Sequence, residues 1–187
     1  MRYLLSNRKF KDLAKLTVAV ALRGTRQTSH LKMKQAILDT LYPYPTVLQS
    51  FKDITLKNIN PLVESLIDRN IDNGHKIVIA TAAPDFYVKE ICKGLAYIAT
   101  EYTPGEAINE CRGKEKLRMV NEWMNDNNCF LNTVVTDHYD DAALFEANRN
   151  GINILVNPSK KTLRFFRQLK PAHFLLIENV DDLSVTR

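Results

Sequence analysis

Glycine and proline are scarce, at 6 and 7 of 187 residues, which excludes collagen-like and low-complexity chains. No uncharged apolar run approaches the roughly 20 residues a membrane-spanning helix needs. Candidate runs such as 16–22 and 77–83 are far too short. The opening residues lack the basic start, apolar stretch and small-residue cleavage site of a signal peptide, so a cytoplasmic protein is expected. Cysteine is equally sparse. Cys92, Cys111 and Cys129 form an odd set, spaced by 19 and 18 residues, which matches neither a zinc site nor a redox pair. Three reduced thiols, at least partly buried, are expected.

What is present is an ordinary globular composition, 45% hydrophobic and 25% charged. The length suits one domain, or one domain with a small insertion. The formal charge of +5 hides an asymmetry. Residues 1–60 hold eleven Lys or Arg against Asp12, Asp39 and Asp53, a net +8, and residues 61–187 carry the balance of −3. Such a basic front suits nucleic acid, an anionic membrane or a phosphorylated small molecule. It equally suits solvated helix faces.

The first 60 residues read as helices. Phe10, Leu13, Leu16 and Val20 fall at helical spacing. Ser29 is placed to cap a second helix carrying Leu31, Met33, Ile37, Leu38 and Leu41. A third runs near 46–54. From residue 60 the texture alternates. A helix opens at Pro61, and Lys76–Ala80 reads as an apolar strand buried on both faces. A helix over 84–93, a strand over 95–99 and a helix over 114–127 follow, the last burying Leu117, Val120 and Met124. Then come a strand over 133–136, a helix over 141–148, a strand over 152–156, a helix capped by Ser159 and a strand over 173–177. Alternation of this kind predicts an α/β fold, a Rossmann-like three-layer parallel sheet with helices on both faces. The expected division is a helical cap over 1–58 and a Rossmann-like core over 59–187.

Ligands in such sheets bind outside the carboxyl ends of the strands, which directs attention to Thr81, Asp137 and Asn157. A Thr81 hydroxyl with free N–H groups beside it can hold a phosphate oxygen, and can equally cap a helix. Asp137, Asp140 and Asp141 crowd one strand end, where their mutual repulsion calls for a cation. Hard oxygen ligands of this sort suit Mg²⁺, although an acidic helix cap has the same composition. Lys114 and Lys116 open a helix, and an ammonium there could offset phosphoryl charge or simply be solvated. His30, His75, His138 and His173 form no recognisable pair with Ser or Cys.

The order of these segments resembles the phosphoserine-phosphatase-like branch of the haloacid dehalogenase superfamily. Ile77-Val-Ile-Ala-Thr-Ala-Ala-Pro84 is similar to that family's second motif, with Thr81 as the phosphoryl-binding residue and Ala82 beside it. Cys111-Arg-Gly-Lys-Glu-Lys116 resembles the third motif, with Lys116 at the charge-stabilising position and Lys114 as the alternative. Val134-Val-Thr-Asp-His-Tyr-Asp-Asp141 is similar to the fourth motif, with Asp137 and Asp141 as the metal carboxylates. Thr136 stands where Gly is usual, and His138 where Ser is common. Ile154-Leu-Val-Asn-Pro158 is similar to the strand and turn that follow.

The resemblance implies an Mg²⁺-dependent phosphatase acting on a small phosphorylated substrate through an aspartyl-phosphate. Nucleic acid is not expected as a partner. The family's first motif, an apolar strand ending in Asp-x-Asp, has no counterpart here, so the first central strand and the nucleophile are missing. The leading expectation is a start assigned downstream of the true one, which leaves the chain inactive. A truncated or non-catalytic relative comes next. Last is a substitute strand from 174–182. A rival of another class is a silent, phosphatase-like binding protein whose basic helices hold a partner or polyanion. A receiver domain is the weaker rival, because no lone phosphoacceptor Asp stands out at a central strand end.

Overall fold

The computed structural model describes residues 2–92, 94–169 and 173–178. In chain order its elements begin with α1 (Arg2–Ser6), α2 (Phe10–Gly24), α3 (His30–Leu41), α4 (Pro45–Lys57) and α5 (Pro61–Asp72). Then come β1 (Val78–Pro84), α6 (Asp85–Ile91), β2 (Ala96–Thr100), α7 (Gly113–Asp126) and β3 (Thr133–Thr136). A 3₁₀ turn (Tyr139–Asp141) leads into α8 (Ala142–Ala147), β4 (Ile152–Val156), α9 (Lys160–Gln168) and β5 (Leu175–Ile177). The fold is α/β. The chain divides into two compact units, one of residues 1–59 with 83–110, the other of residues 60–82 with 111–187.

The first unit is mainly helical. Ser29 caps α3 by accepting from the Lys32 N–H at 3.2 Å, as its position predicts. Leu4, Leu16 and Ala19 supply buried contact for α1 and α2. Asp12 turns inward and accepts from the Tyr44 hydroxyl at 2.5 Å. Tyr42, Phe86 and Tyr102 form an aromatic cluster with ring centroids 5.4–5.7 Å apart. The Tyr102 hydroxyl donates to Asp39 at 2.6 Å. Burial, with Asp39 beside it, pushes that phenol well above its ordinary range.

The second unit is built on a parallel sheet of order β3-β4-β5, with Thr133 opposite Ile152 and Ile154 opposite Leu175. Its core is Val134, Ile154, Leu155 and Val156 from the strands, with Val120, Leu144, Phe145 and Phe166 from the helices. Phe145 and Phe166 meet at 4.5 Å between centroids. Ser159 caps α9 through the Thr162 N–H at 3.1 Å. Where α8 turns into β4, the buried Asn148 side chain donates to the Asn132 and Ile152 carbonyls and to Asn153 Oδ1. Gly151 lies inside that knot. A Cβ there would sit 2.3 Å from both the Asn132 carbonyl oxygen and Asn148 Oδ1. Because backbone cannot give way cheaply, Gly151→Ala is expected to cost about 2 kcal/mol in urea unfolding, as overpacking does.

Several expectations differ from the structure in detail. The strands form two small sheets rather than one, because β1 pairs with β2 in a separate two-stranded sheet. No described strand joins β1 to β3, and the segment 174–178 does not do so. Its strand β5 lies on the far side of β4, while 179–182 lie outside the described residues, as does Lys93 at the expected end of the helix after Pro84. Strand β1 is half-buried over residues 78–83 rather than buried on both faces. The strand also starts and ends later than its apolar pattern suggests. Ala82 and Ala83 offer no turn former, and Pro84 keeps extended backbone (φ −65°, ψ 140°) as it caps α6. Thr81 therefore sits inside β1 and not at its end. Leu117 and Met124 of α7 are half-buried, and Val120 is the apolar residue of that face that is fully covered.

Candidate active site

Two segments of the second unit bring chemistry together, the start of α7 and the carboxyl end of β3. Gly113 opens α7 with a positive φ of 57°, a conformation that glycine adopts without steric cost. One turn later Lys116 lies on the inner side of the helix, four residues before buried Val120, and is itself only 7% exposed. Its ammonium reaches Asp141 Oδ1 at 2.5 Å. The other Asp141 oxygen accepts from the Thr136 hydroxyl at 2.6 Å. Asp141 is thus held on both oxygens, by a helix and by a strand end.

A second bridge runs parallel to the first. Arg112 Nε donates to Asp140 Oδ2 at 2.7 Å. His138 Nδ1 lies 3.1 Å from the same oxygen, yet it accepts from the Asp140 backbone N–H at 3.2 Å. Arg112, always charged, is the cation that satisfies Asp140. The imidazole stacks on Tyr139 at 4.1 Å between centroids. Lys161 sits 4.5 Å from the centre of the Tyr139 ring.

The acids at this strand end thus have different fates. Asp140 and Asp141 are neutralised by cations, whereas Asp137 is exposed and has no partner among the described residues. Behind the pair lies Cys111, fully buried. The Thr81 backbone N–H donates to its sulfur, which ties β1 to this cluster. Burial pushes the Cys111 thiol up, and nearby Lys116 opposes that rise. Cys92 is buried too, and its thiol is raised for the same reason, whereas Cys129 is half-exposed. Since the thiolate is the reactive form, Cys129 is expected to react with a disulfide reagent in the folded protein. Cys92 and Cys111 should react only on unfolding, so counting thiols released before and after denaturant checks it.

The structure thus gathers Thr81, Lys116 and Asp141 around Cys111, and leaves Asp137 open at the end of β3. Ala82 is half-buried in β1, beside Thr81. Lys114 is exposed and points to none of this. Asn157 has a positive φ of 45° and donates its N–H to the Ile177 carbonyl at 2.9 Å, a turn role. Arg112, Thr136 and His138 were not singled out for function by their sequence positions. Thr136 could have been found, because a hydroxyl beside three clustered acids can donate to one of them.

A family model for haloacid dehalogenase-like hydrolases matches residues 1–146. The chain belongs to the haloacid dehalogenase-like hydrolase family. Its fold is similar to that of a protein of unknown function from Bordetella pertussis Tohama I. The TM-score is 0.66 at 19% identity, over 86% of this chain and 79% of that one. It is also similar to a HAD family hydrolase from Salmonella enterica subsp. enterica serovar Typhi. There the TM-score is 0.54 at 13% identity, over 94% of this chain and 62% of that one. No curated protein matches the sequence.

Family membership points to a phosphatase-type hydrolase, and the family generally uses Mg²⁺. The donor set here can be tested against that ion. Among the described residues no three His, Cys, Asp or Glu converge as a metal cage. Mg²⁺ does not need one, because it takes one or two carboxylates and completes its shell with water and phosphate. An open Asp137 and a fixed Asp141, four residues apart in sequence, suit that requirement. No helix of the described residues is long and apolar enough to cross a membrane.

Proposed function

We propose that this chain carries the phosphoryl-binding and metal-binding groups of a cytoplasmic Mg²⁺-dependent phosphatase for a small phosphate monoester. The observation that carries the reading is the buried Lys116–Asp141 bridge at the carboxyl end of β3. A buried ammonium is costly unless a charge or an anionic ligand compensates it. Lys116 spends one of its three N–H donors on Asp141, which leaves two for phosphoryl oxygens. The Thr81 hydroxyl and the Ala82 backbone would hold the other oxygens. Asp137 would ligate Mg²⁺, and Asp141 would hold the ion or its water. Bound there, the ion would offset negative charge on the phosphoryl group. The basic cap, residues 1–58, would recruit the anionic substrate through its charge, and residues 59–187 would form the core.

One component of the aspartyl-phosphate route is not among these groups. No Asp-x-Asp occurs in the 187 residues. Asp137, the acid directly after β3, is assigned to the metal, and Asp140 and Asp141 are each held by a cation. The 187-residue chain therefore binds phosphate and metal without a carboxylate to attack phosphorus, and it does not turn over.

Titration of inorganic phosphate in the presence of Mg²⁺ tests the binding half of this reading. Binding is expected in the unmodified chain and at least tenfold weaker in Thr81→Val, which removes one hydroxyl donor to a charged group. Equal binding by both proteins would remove Thr81 from the site.

A further inference from the structure

The first unit has a feature that the phosphatase reading leaves unused. Helix α2 buries Leu16 and Ala19, and Asp12 turns to Tyr44 on that same side. At 100° per residue, Phe10, Ala14, Val18 and Ala21 fall within about 80° of one another on the opposite side. That outward side is apolar. Phe10 is 61% and Val18 55% exposed, and Leu5 of α1 is 51% exposed. An outward face on a helix of a folded unit is normally polar.

The charges on this helix and its flanks are mostly basic. Residues 8–26 contain six Lys or Arg and a single acid, Asp12. Asp12 is occupied by Tyr44 and lies 3.4 Å from Lys15. Lys11 and Lys15 border the stripe, with Arg8 and Lys9 before the helix and Arg26 beyond, while Arg23 of the last turn projects from the opposite side. All six are exposed.

We propose that the outward face of α2 docks on an anionic membrane surface. A bilayer interface accepts both halves of the pattern at once. Apolar side chains enter the boundary of the acyl chains, while Lys and Arg stems reach back to headgroup phosphates. A second copy fits less well. An isologous contact would set Lys11 and Lys15 against their own symmetry mates. Nucleic acid fits less well too, because the centre of the face is aliphatic apart from Phe10 and offers no row of stacking rings. This inference rests on the first unit alone and is independent of the phosphatase reading.

Co-sedimentation of the full chain with vesicles tests it. Vesicles of phosphatidylcholine alone would be compared with vesicles containing about 30% phosphatidylserine. Binding is expected on the anionic vesicles only. It should fall at least tenfold in Phe10→Ser/Val18→Ser, and at least tenfold again for the unmodified chain in high salt. Both positions are exposed, so helix content by circular dichroism should match the unmodified chain. Absence of binding, or binding unchanged by the double substitution, would overturn the proposal. So would concentration-dependent self-association that the substitution abolishes while vesicles bind nothing, which would make a second copy the occupant. Tight heparin binding unaffected by the substitution, without vesicle binding, would overturn it as well.

Discussion

Lys116→Met is expected to destabilise the folded protein by about 3 kcal/mol, lowering the melting temperature by roughly 6–12 °C for a chain of this size. The cause is the partner left behind. Asp141 would keep only the Thr136 hydroxyl while its side chain stays just 14% exposed. Removing one member of a buried pair costs more than removing both, because the survivor keeps its charge without compensation. The double variant Lys116→Met/Asp141→Leu is therefore expected to lose less than the sum of the single variants, with a coupling of about 2 kcal/mol. Urea unfolding of the four proteins measures this. Additive losses would mean that Lys116 and Asp141 do not act as a pair, and would remove the core of the site described above.

The second large effect concerns metal affinity. Asp137→Asn replaces the one unpartnered carboxylate at the end of β3 by a neutral amide. Mg²⁺ prefers charged oxygen ligands and sheds water reluctantly, so losing that charge is expected to weaken Mg²⁺ binding at least tenfold. Because Asp137 is exposed, stability without metal should stay within about 0.5 kcal/mol of the unmodified chain. Calorimetric titration of Mg²⁺, paired with thermal unfolding in chelator, separates the two. Asp140→Asn is the informative comparison. Asp140 is engaged by Arg112, so its loss should disturb folding more than metal affinity. If Asp140→Asn abolishes Mg²⁺ binding and Asp137→Asn does not, the ligand assignment is reversed.

Much of the local structure was legible in the sequence. Strand β3 occupies the four residues its apolar run marks. Ser29 and Ser159 cap their helices because a short side-chain oxygen before a periodic stretch has few other local uses. The phase of β1 was not legible. Val78 to Ala83 carries no turn signal, so nothing local marks where extension stops, and Thr81 fell inside the strand. Partition of the strands into two sheets was hidden for a different reason. Pairing is non-local, and an apolar run does not name its neighbours.

The site shows the same division. Lys116 and Asp141, which the structure pairs, could be chosen by motif order, and Lys116 also stands four residues before an apolar position on the buried side of α7. The Arg112–Asp140 bridge leaves no comparable trace, because neither residue type nor spacing distinguishes it from a solvated pair. Thr136 is the instructive case. As a sequence it is a departure from the family's usual glycine, and in the fold it supplies the hydroxyl that fixes Asp141.

The central claim is that these residues form a phosphoryl and metal site without the carboxylate that attacks phosphorus. Mg²⁺-dependent release of phosphate from a generic aryl phosphate tests it most directly. The account predicts no release above the buffer blank from the 187-residue chain, with or without Mg²⁺. Robust Mg²⁺-dependent turnover that disappears in Asp137→Asn would contradict it, since a nucleophile would then have to lie among the residues present.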